Sequence, residues 1–358
     1  MRGVAALAVF LHHAWPTALH PRSSTDALAV VGTQLRLGLF LFFVLSGFLL
    51  YRGFIRHLRQ DTQPDLGRYL KRRAARILPA YYFAVLGSFI LFSLTDARAH
   101  LPPAEHLPLF AVFAQNYSAS TFKTLDSPTW TLCIEAAFYL LLPVLAVALL
   151  RIRAGWRFQA AVISGLVAIG IAWAAATAAL GAGVVWSNML PVWLPYFAFG
   201  MAVALWIEYA QPRRIEPKRT GGLVALGMAL VIANGALLGL AGEGSTAAVL
   251  VADLPAGAGF ALITALALVG SGGAVAWTRM RWLIGVGIVS YGFYLWHMPL
   301  LILLYDIHPA GGILSNLVIG LPLALLLGLL SWRLVERPAL RASARRAVRR
   351  PDPVPVPA

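Results

Sequence analysis

Two residues near the start of the chain, Arg2 and His13, have the types and the spacing of a catalytic pair. They lie eleven positions apart in an apolar stretch. Eleven helical steps of about 100° bring His13 back to within roughly 20° of Arg2, so both share one helix face about 16 Å apart. An arginine at a membrane edge would then be followed by a histidine near the midplane, where ionisable groups indicate a functional site. The adjacent His12 is expected to face another helix or lipid headgroups.

Three more polar residues in apolar stretches are candidates for lining a cavity with His13. Glu135 lies five residues after Trp130, an aromatic residue typical of the outer membrane interface. Ser46 falls near the middle of its apolar stretch, and His297 falls in the outer part of its own. One such residue alone would more often form a hydrogen bond between helices. Four at compatible depths favour one polar cavity that extends from the midplane outward.

A pair of arginines, Arg73 and Arg76, precedes the third apolar stretch with i, i+3 spacing, which makes them neighbours on a helix face. Planar guanidinium groups suit bidentate recognition of phosphate. Basic residues also collect at cytoplasmic helix ends without binding anything specific, so the spacing alone leaves both interpretations open. A phosphate held here would lie about 15 Å from the midplane of a ~30 Å core, within reach of a long carrier arm.

The elements that must position these residues are membrane helices. The 358 residues are 59% hydrophobic and only 12% charged, against about 25% charged in soluble domains, and the mean hydropathy is +0.75. Apolar runs of spanning length recur from end to end and predict an all-α, polytopic transmembrane bundle. We expect about ten spans, near 3–19, 37–54, 77–95, 130–150, 159–180, 188–207, 221–241, 255–276, 283–305 and 313–335.

The basic residues are divided between the two sets of loops. The formal net charge is +15, and 25 of the 29 Lys and Arg residues fall in alternate loops and at the two ends of the chain. The positive-inside rule then predicts that both termini are cytoplasmic. The positive charge is therefore explained by membrane topology, which argues against nucleic acid as a partner. The Arg- and Pro-rich segment 341–358 is predicted to be a disordered cytoplasmic tail.

Other single residues have ordinary structural interpretations. Cys133 is the only cysteine, so the sequence offers no intrachain disulfide and no cysteine cluster for zinc. We interpret it as a small buried hydrophobe rather than an acyl-carrying nucleophile. Gly47 would let another helix or a substrate approach the backbone closely. Glu336 is expected to pair with Arg333 or Arg337.

Six short motifs follow one another along nearly the whole chain. They are Arg2-Gly3 through His13, Phe42-Phe-Val-Leu-Ser-Gly-Phe-Leu49, Arg73-Ala-Ala-Arg-Ile-Leu-Pro79, Trp130-Thr-Leu-Cys-Ile-Glu-Ala-Ala-Phe-Tyr139, Ser290-Tyr-Gly-Phe-Tyr-Leu-Trp-His297 and Glu336-Arg-Pro338. In these motifs and their order the chain resembles acyltransferase family 3, the bacterial multi-span membrane O-acyltransferases. It departs from the family at Phe40, where an acidic residue is frequent, and at its start, Met1-Arg2, where Asp-Gly-Leu usually comes before the arginine.

The resemblance implies a function for the chain. Residues 1–340 would form the family's transmembrane domain in a bacterial cytoplasmic membrane. The donor would be an acyl-coenzyme A, usually acetyl-CoA, bound from the cytoplasm with its phosphates on Arg73 and Arg76. Arg2 and His13 would form the catalytic core. The acceptor would be a hydroxyl of a carbohydrate, a surface glycan or a secondary metabolite, and neither a metal nor a permanently bound cofactor is expected.

Our mechanistic hypothesis makes His13 either the general base for the acceptor hydroxyl or a residue that first relays the acyl group, and a histidine pKa suits the base role near neutral pH. Glu135 would orient a catalytic imidazole or the acceptor, and Arg2 would stabilise developing charge or a phosphate. The long loop at about 96–129 is a candidate for acceptor recognition. A secondary transporter or exporter would also carry polar residues at the midplane, but the sequence has no evident repeat. A structural membrane protein without chemistry is the third interpretation.

Overall fold

The protein is an all-α bundle, as the apolar pattern predicts. The computed structural model describes residues 1–15, 32, 34–241, 246–308 and 312–348, and these residues contain no β-strand. We number the long helices in chain order. They are α1 (Arg2–Ala14), α2 (Gly38–Gln60), α3 (Leu66–Ser93), α4 (Trp130–Arg151), α5 (Trp156–Ala179), α6 (Leu190–Ala210), α7 (Pro217–Ala241), α8 (Thr246–Val269), α9 (Arg281–Ile307), α10 (Leu321–Ser331) and α11 (Arg337–Val348).

Eight helices within the described part of the chain are long and apolar enough to cross a membrane. They are α2 to α6, α8, α9 and the final helix that contains α10 and α11. The chain is therefore built as a multi-pass membrane protein. Each of the ten predicted spans falls on a long helix, but the count of ten is not confirmed. Helix α1 has 13 residues, fewer than the ~20 that a span needs, and residues 16–19 of the first predicted span lie outside the described residues.

The third predicted span begins earlier than its apolar residues do. Helix α3 starts at Leu66 rather than near residue 77, because Asp65 caps it: the carboxylate accepts a hydrogen bond from the backbone N–H of Arg68 at 2.8 Å. The arginine pair Arg73 and Arg76 consequently lies inside a helix, with one turn between the two side chains. Both guanidinium groups are therefore held on regular backbone and not on a loop.

Helices α2 and α6 cross with their backbones nearly in contact. A Cβ atom added at Gly47 would overlap the carbonyl oxygen of Phe197, and one added at Gly200 would overlap the carbonyl oxygen of Val44. The predicted close approach at Gly47 is thus made by another helix of the chain. This crossing fixes the position of Ser46, the neighbour of Gly47.

The last helix is interrupted by two π-helical segments, Asn316–Gly320 and Trp332–Glu336, and continues as α11 to Val348. Residues 341–348 are therefore helical, which corrects the prediction that they belong to a disordered tail. Alanine and arginine are good helix formers, and α11 packs against α3. Residues 349–358 lie outside the described residues.

The segment between α3 and α4 is folded into short helical turns that contain buried polar side chains. Gln115 is 1% exposed and donates a hydrogen bond to the hydroxyl of Tyr81 at 3.1 Å, while the Thr121 hydroxyl donates to the carbonyl of Gln115 at 2.7 Å. Asp126 is fully buried, and its two carboxylate oxygens have no hydrogen-bond partner among the described residues. Burial raises the pKa of this carboxyl well above its usual range.

Candidate active site

The structure brings His13 and His297 together. Helices α1 and α9 pack closely, because Gly3 lies directly against the backbone carbonyl of Leu283. Nδ1 of His13 and Nε2 of His297 are 3.0 Å apart, and the two ring centroids are 5.1 Å apart. Nδ1 of His297 lies 2.5 Å from the carbonyl oxygen of Tyr294, and His297 is 1% exposed. The predicted base therefore has a second histidine as its direct partner.

His13 lines a large cavity formed by the described residues, which we call the histidine cavity. Its volume is about 440 Å³, within the range of small-molecule sites. Its wall includes residues from α1, α4, α6, α8 and α9 and from the segment before α4. The lining residues that matter below are His13, Arg36, Lys123, Trp130, Asp253 and Tyr294.

Five arginines line the second cavity, which we call the arginine cavity. Its volume is about 610 Å³. The arginines are Arg2, Arg68, Arg72, Arg73 and Arg76. Glu135 is the acidic residue in the lining, and α11 contributes Leu340, Ser343 and Ala344 to its wall. The predicted phosphate-binding residues are thus brought together with Arg2 around one space.

Arg73 lies between two tyrosine rings in the arginine cavity. Its guanidinium carbon is 5.9 Å from the ring centroid of Tyr69 and 5.9 Å from that of Tyr139. Its buried Nε atom and the buried Nε of Arg2 have no hydrogen-bond partner among the described residues. Buried N–H donors without partners are costly, so these two groups are suited to an anionic ligand that supplies oxygen acceptors.

Arg76 is held differently, by an ion pair with Glu336 at 3.3 Å. Glu336 is fully buried, and the guanidinium of Arg76 lies over the rings of Tyr291 and Trp332, at 6.0 and 5.5 Å. This corrects the expectation that Glu336 pairs with a neighbour on its own helix. The π-helical segment Trp332–Glu336 shifts the local register, and Glu336 faces α3.

Ser46 and Glu135 form a separate pair. The Ser46 hydroxyl donates to a carboxylate oxygen of Glu135 at 2.5 Å. Glu135 lines the arginine cavity, whereas neither Ser46 nor His297 is among the lining residues of either cavity. The expectation of one cavity lined by all four polar residues, His13 included, is therefore corrected to two bonded pairs. Depth along a helix was predicted, but the direction in which each side chain points was not.

Aromatic rings connect the two cavities. The guanidinium of Arg2 lies 5.8 Å from the ring centroid of Phe42, and Phe42 meets the ring of Tyr294 edge-on at 5.8 Å. The Tyr294 ring is in turn 5.5 Å from that of His297, and its hydroxyl is 2.8 Å from the Thr131 hydroxyl oxygen. Two ring contacts thus lead from the arginine cavity to the histidine pair.

An ion pair in the histidine cavity escaped the sequence reasoning. Arg36 donates two hydrogen bonds to Asp253, at 2.8 and 2.7 Å, and Asn234 donates to the same carboxylate. Asp253 is 1% exposed and lies within α8. The sequence signal was the carboxylate of Asp253, which lies just before the predicted span 255–276 and was therefore expected in a loop. Lys123, the other cation of this cavity, lies over the rings of Phe122 and Trp130.

Comparisons with known proteins place the chain among acyltransferases. The model of the acyltransferase domain family matches residues 1–333. The putative peptidoglycan O-acetyltransferase YrhL of Bacillus subtilis is 25% identical over 350 residues, which cover 84% of this chain and 50% of the relative. The O-acetyltransferase OatA of Staphylococcus aureus is 24% identical over 327 residues, covering 84% and 52%. The chain thus spans about half the length of these curated relatives. No solved structure matches it.

Proposed function

This chain belongs to the acyltransferase domain family, and we propose that it is a membrane O-acetyltransferase that moves an acetyl group from acetyl-CoA to a hydroxyl of a glycan. One observation carries the proposal: contacts from Arg2 to Phe42 and from Phe42 to Tyr294 link the lining of an arginine-lined cavity to that of a histidine-lined cavity. The first has the charge for a phosphorylated donor. The second has a base for a hydroxyl acceptor. The glycan is proposed from the name of the Bacillus subtilis relative and from the hydrogen-bonding side chains in the histidine cavity, among them Lys123, Asn188 and Asp253.

The arginine cavity is the proposed donor site. Coenzyme A carries a diphosphate and a further phosphate monoester, and five arginines face the space with one lining carboxylate, Glu135. The unpartnered Nε groups of Arg2 and Arg73 are donors that phosphate oxygens would satisfy. The remaining length of the coenzyme would direct its thioester toward Phe42. Acyl-CoA is a substrate in this scheme, and no resident cofactor is invoked.

His13 is the proposed general base. The acceptor hydroxyl gives its proton to the imidazole as its oxygen forms a bond to the acyl carbon, the C–S bond of the thioester breaks, and the thiolate leaves and takes up the proton. Arg2, at the donor side of Phe42, would offset negative charge on the thioester oxygen or on a phosphate. Glu135, held by the hydrogen bond from Ser46, would position the donor arm from the wall of the arginine cavity.

We propose ten spans with both termini in the cytoplasm of a bacterial cell, so that the donor enters from the cytoplasmic side. The support is that the arginine cavity lies among the basic residues 68–76 and α11, at the end where the positive-inside rule puts the cytoplasm. The histidine cavity is lined instead by Lys123 and Ser127, from the segment between α3 and α4.

A secondary transporter is the alternative function, because cavities lined by polar residues of several membrane helices are also needed for alternating access. The two functions make opposite predictions for labelled donor. Membranes supplied with radiolabelled acetyl-CoA and soluble glycan oligosaccharides would accumulate alkali-labile label on the glycan only if acyl transfer occurs. Movement of the glycan across the membrane without esterification would favour the transporter.

The test of the proposed base is the substitution His13→Gln, with His57→Gln on α2 as the control, because His12 also lines the histidine cavity whereas His57 lines neither cavity. We expect the acetylation rate of the His13 variant to fall by about 10²–10⁴-fold, the usual contribution of a general base. The His57 variant should stay within a few-fold of the natural protein at equal membrane expression. Acetylation by the His13→Gln variant at the natural rate would contradict the assignment.

A further inference from the structure

The hydrogen bonds of His297 determine its tautomer. Its Nδ1 atom lies 2.5 Å from the carbonyl oxygen of Tyr294. A carbonyl oxygen can only accept a hydrogen bond, so this nitrogen must carry the proton. In a neutral imidazole the other nitrogen then has a lone pair and no proton. Nε2 of His297 is therefore an acceptor.

This assignment also determines the tautomer of His13. The Nδ1 atom of His13 lies 3.0 Å from that acceptor nitrogen of His297, so it must be the donor. With its proton on Nδ1, a neutral His13 has its lone pair on Nε2, the nitrogen left to accept a proton from a substrate. His13 lines the histidine cavity, where an acceptor hydroxyl would approach.

The surroundings of His297 favour a positioning role over direct contact with substrate. The residue is 1% exposed and is not part of the lining of either cavity. The rings of Phe10 and Phe293 pack around it, with centroids 6.4 and 6.3 Å away. Glu135, which the sequence offered as the orienting group, is hydrogen-bonded by Ser46 instead.

We propose that His297 is a positioning residue that holds His13 in the Nδ1–H tautomer and so presents Nε2 of His13 as the catalytic base. The relay runs from the Tyr294 carbonyl through His297 to His13, and each imidazole donates from Nδ1. It is a neutral counterpart of the carboxylate that orients the histidine in a catalytic triad. The inference rests on the proposed acyl transfer for its catalytic meaning, but the tautomer itself does not depend on that activity.

The tautomer can be measured directly. The protein is prepared with ¹³C,¹⁵N-histidine in lipid bilayers, without donor or acceptor, and the ring carbon and nitrogen resonances of His13 are assigned by their loss in the His13→Gln variant. Solid-state NMR should find both His13 and His297 protonated at Nδ1. Removing the acceptor with His297→Leu should return His13 to the Nε2–H form. A natural protein in which His13 is protonated at Nε2 would overturn the proposal.

Kinetics then test whether the tautomer matters. For His297→Leu we expect kcat to fall by about 10²–10⁴-fold while KM for acetyl-CoA stays within about threefold, because loss of tautomer control affects the base and not donor binding. His297→Gln, whose side-chain oxygen can accept the same hydrogen bond, should recover at least tenfold of the loss. Equal loss in both variants, or an unchanged kcat in the leucine variant, would overturn the positioning role. If the leucine variant does not fold, the NMR of the natural protein and the kinetics of the glutamine variant decide the question.

The two proposals fail separately. Loss of acetylation in His13→Gln with His13 protonated at Nε2 in the natural protein would keep the base and reject the positioning role of His297. An unchanged rate in His13→Gln would reject the base, whatever tautomer the NMR finds.

Discussion

At the scale of single residues, Arg73 and Arg76 form one motif but have different surroundings. Arg73 is bracketed by tyrosine rings and keeps a buried Nε–H without a partner. Arg76 is paired with the buried carboxylate of Glu336. The motif predicted that both would contact phosphate. In the structure, Arg76 also neutralises the buried carboxylate of Glu336, which lies 260 positions away in the chain. We therefore expect the two arginines to respond differently to substitution.

The substitution Arg73→Gln should mainly weaken donor binding. Loss of a charge-assisted hydrogen bond costs about 1.5–3 kcal/mol, which corresponds to a KM for acetyl-CoA raised about 10- to 100-fold with little change in stability. Arg76→Gln leaves Glu336 buried without a counter-charge and should lower the free energy of unfolding by about 3 kcal/mol. The measurements are steady-state kinetics and thermal unfolding in detergent.

The control for this pair is the double variant Arg76→Gln with Glu336→Gln. Because it removes the unpaired buried charge, it should regain most of the stability that the single Arg76 variant loses. An Arg76→Gln protein as stable as the natural one would mean that the ion pair does not contribute to the fold.

At the scale of helices, the sequence predicted which stretches are helical and how deep the polar residues lie, because both follow from spacing along one helix. It did not predict direction. Ser46 and Glu135 face each other, and His13 faces His297 instead. Facing depends on how helices distant in sequence pack, and a single chain offers no measure of that. Arg36 and Asp253, 217 positions apart, were missed for the same reason.

The crossing of α2 and α6 gives a prediction about packing. Gly47→Ala would push a methyl group into the carbonyl oxygen of Phe197, force the helices apart and lower stability by about 1–3 kcal/mol. Gly53→Ala on the same helix is the matched control, because a Cβ there would have no neighbouring atom within 4 Å. Cys133, the only cysteine and 2% exposed, allows the assay: a thiol-reactive dye should report unfolding on heating. Equal transition temperatures for the two variants would contradict the close crossing.

The same displacement should reach the site, because Ser46 immediately precedes Gly47. A shift of α2 would lengthen the hydrogen bond from Ser46 to Glu135, which is 2.5 Å in the natural protein. We expect the fraction of Gly47→Ala that remains folded to acetylate more slowly than Gly53→Ala. The helix crossing therefore acts both on stability and on the wall of the arginine cavity.

At the scale of the whole molecule, the proposed acyl transfer needs the two cavities to open toward a donor side and an acceptor side. The partition of basic residues predicts the sides, and one cavity is lined by Arg2 of α1 and by four arginines of α3. Hydropathy and length identify eight membrane-spanning helices in the described part of the chain, and α1 and α7 are not among them. Whether α7 crosses the membrane decides whether the rest of the chain keeps its predicted side.

Cysteine accessibility can decide this point. Seven predicted spans, one of them α7, lie between Glu105 and Arg341, and both residues are exposed. An odd number of crossings puts them on opposite sides of the membrane. In intact cells, a membrane-impermeant maleimide should therefore label Glu105→Cys, and it should label Arg341→Cys only after permeabilisation. The natural protein is the background control, because its single thiol is buried.

Labelling of both variants in intact cells would mean an even number of crossings and would remove α7 from the spans. Labelling of Arg341→Cys alone would invert the proposed orientation and place the arginine cavity outside the cytoplasm, away from acetyl-CoA.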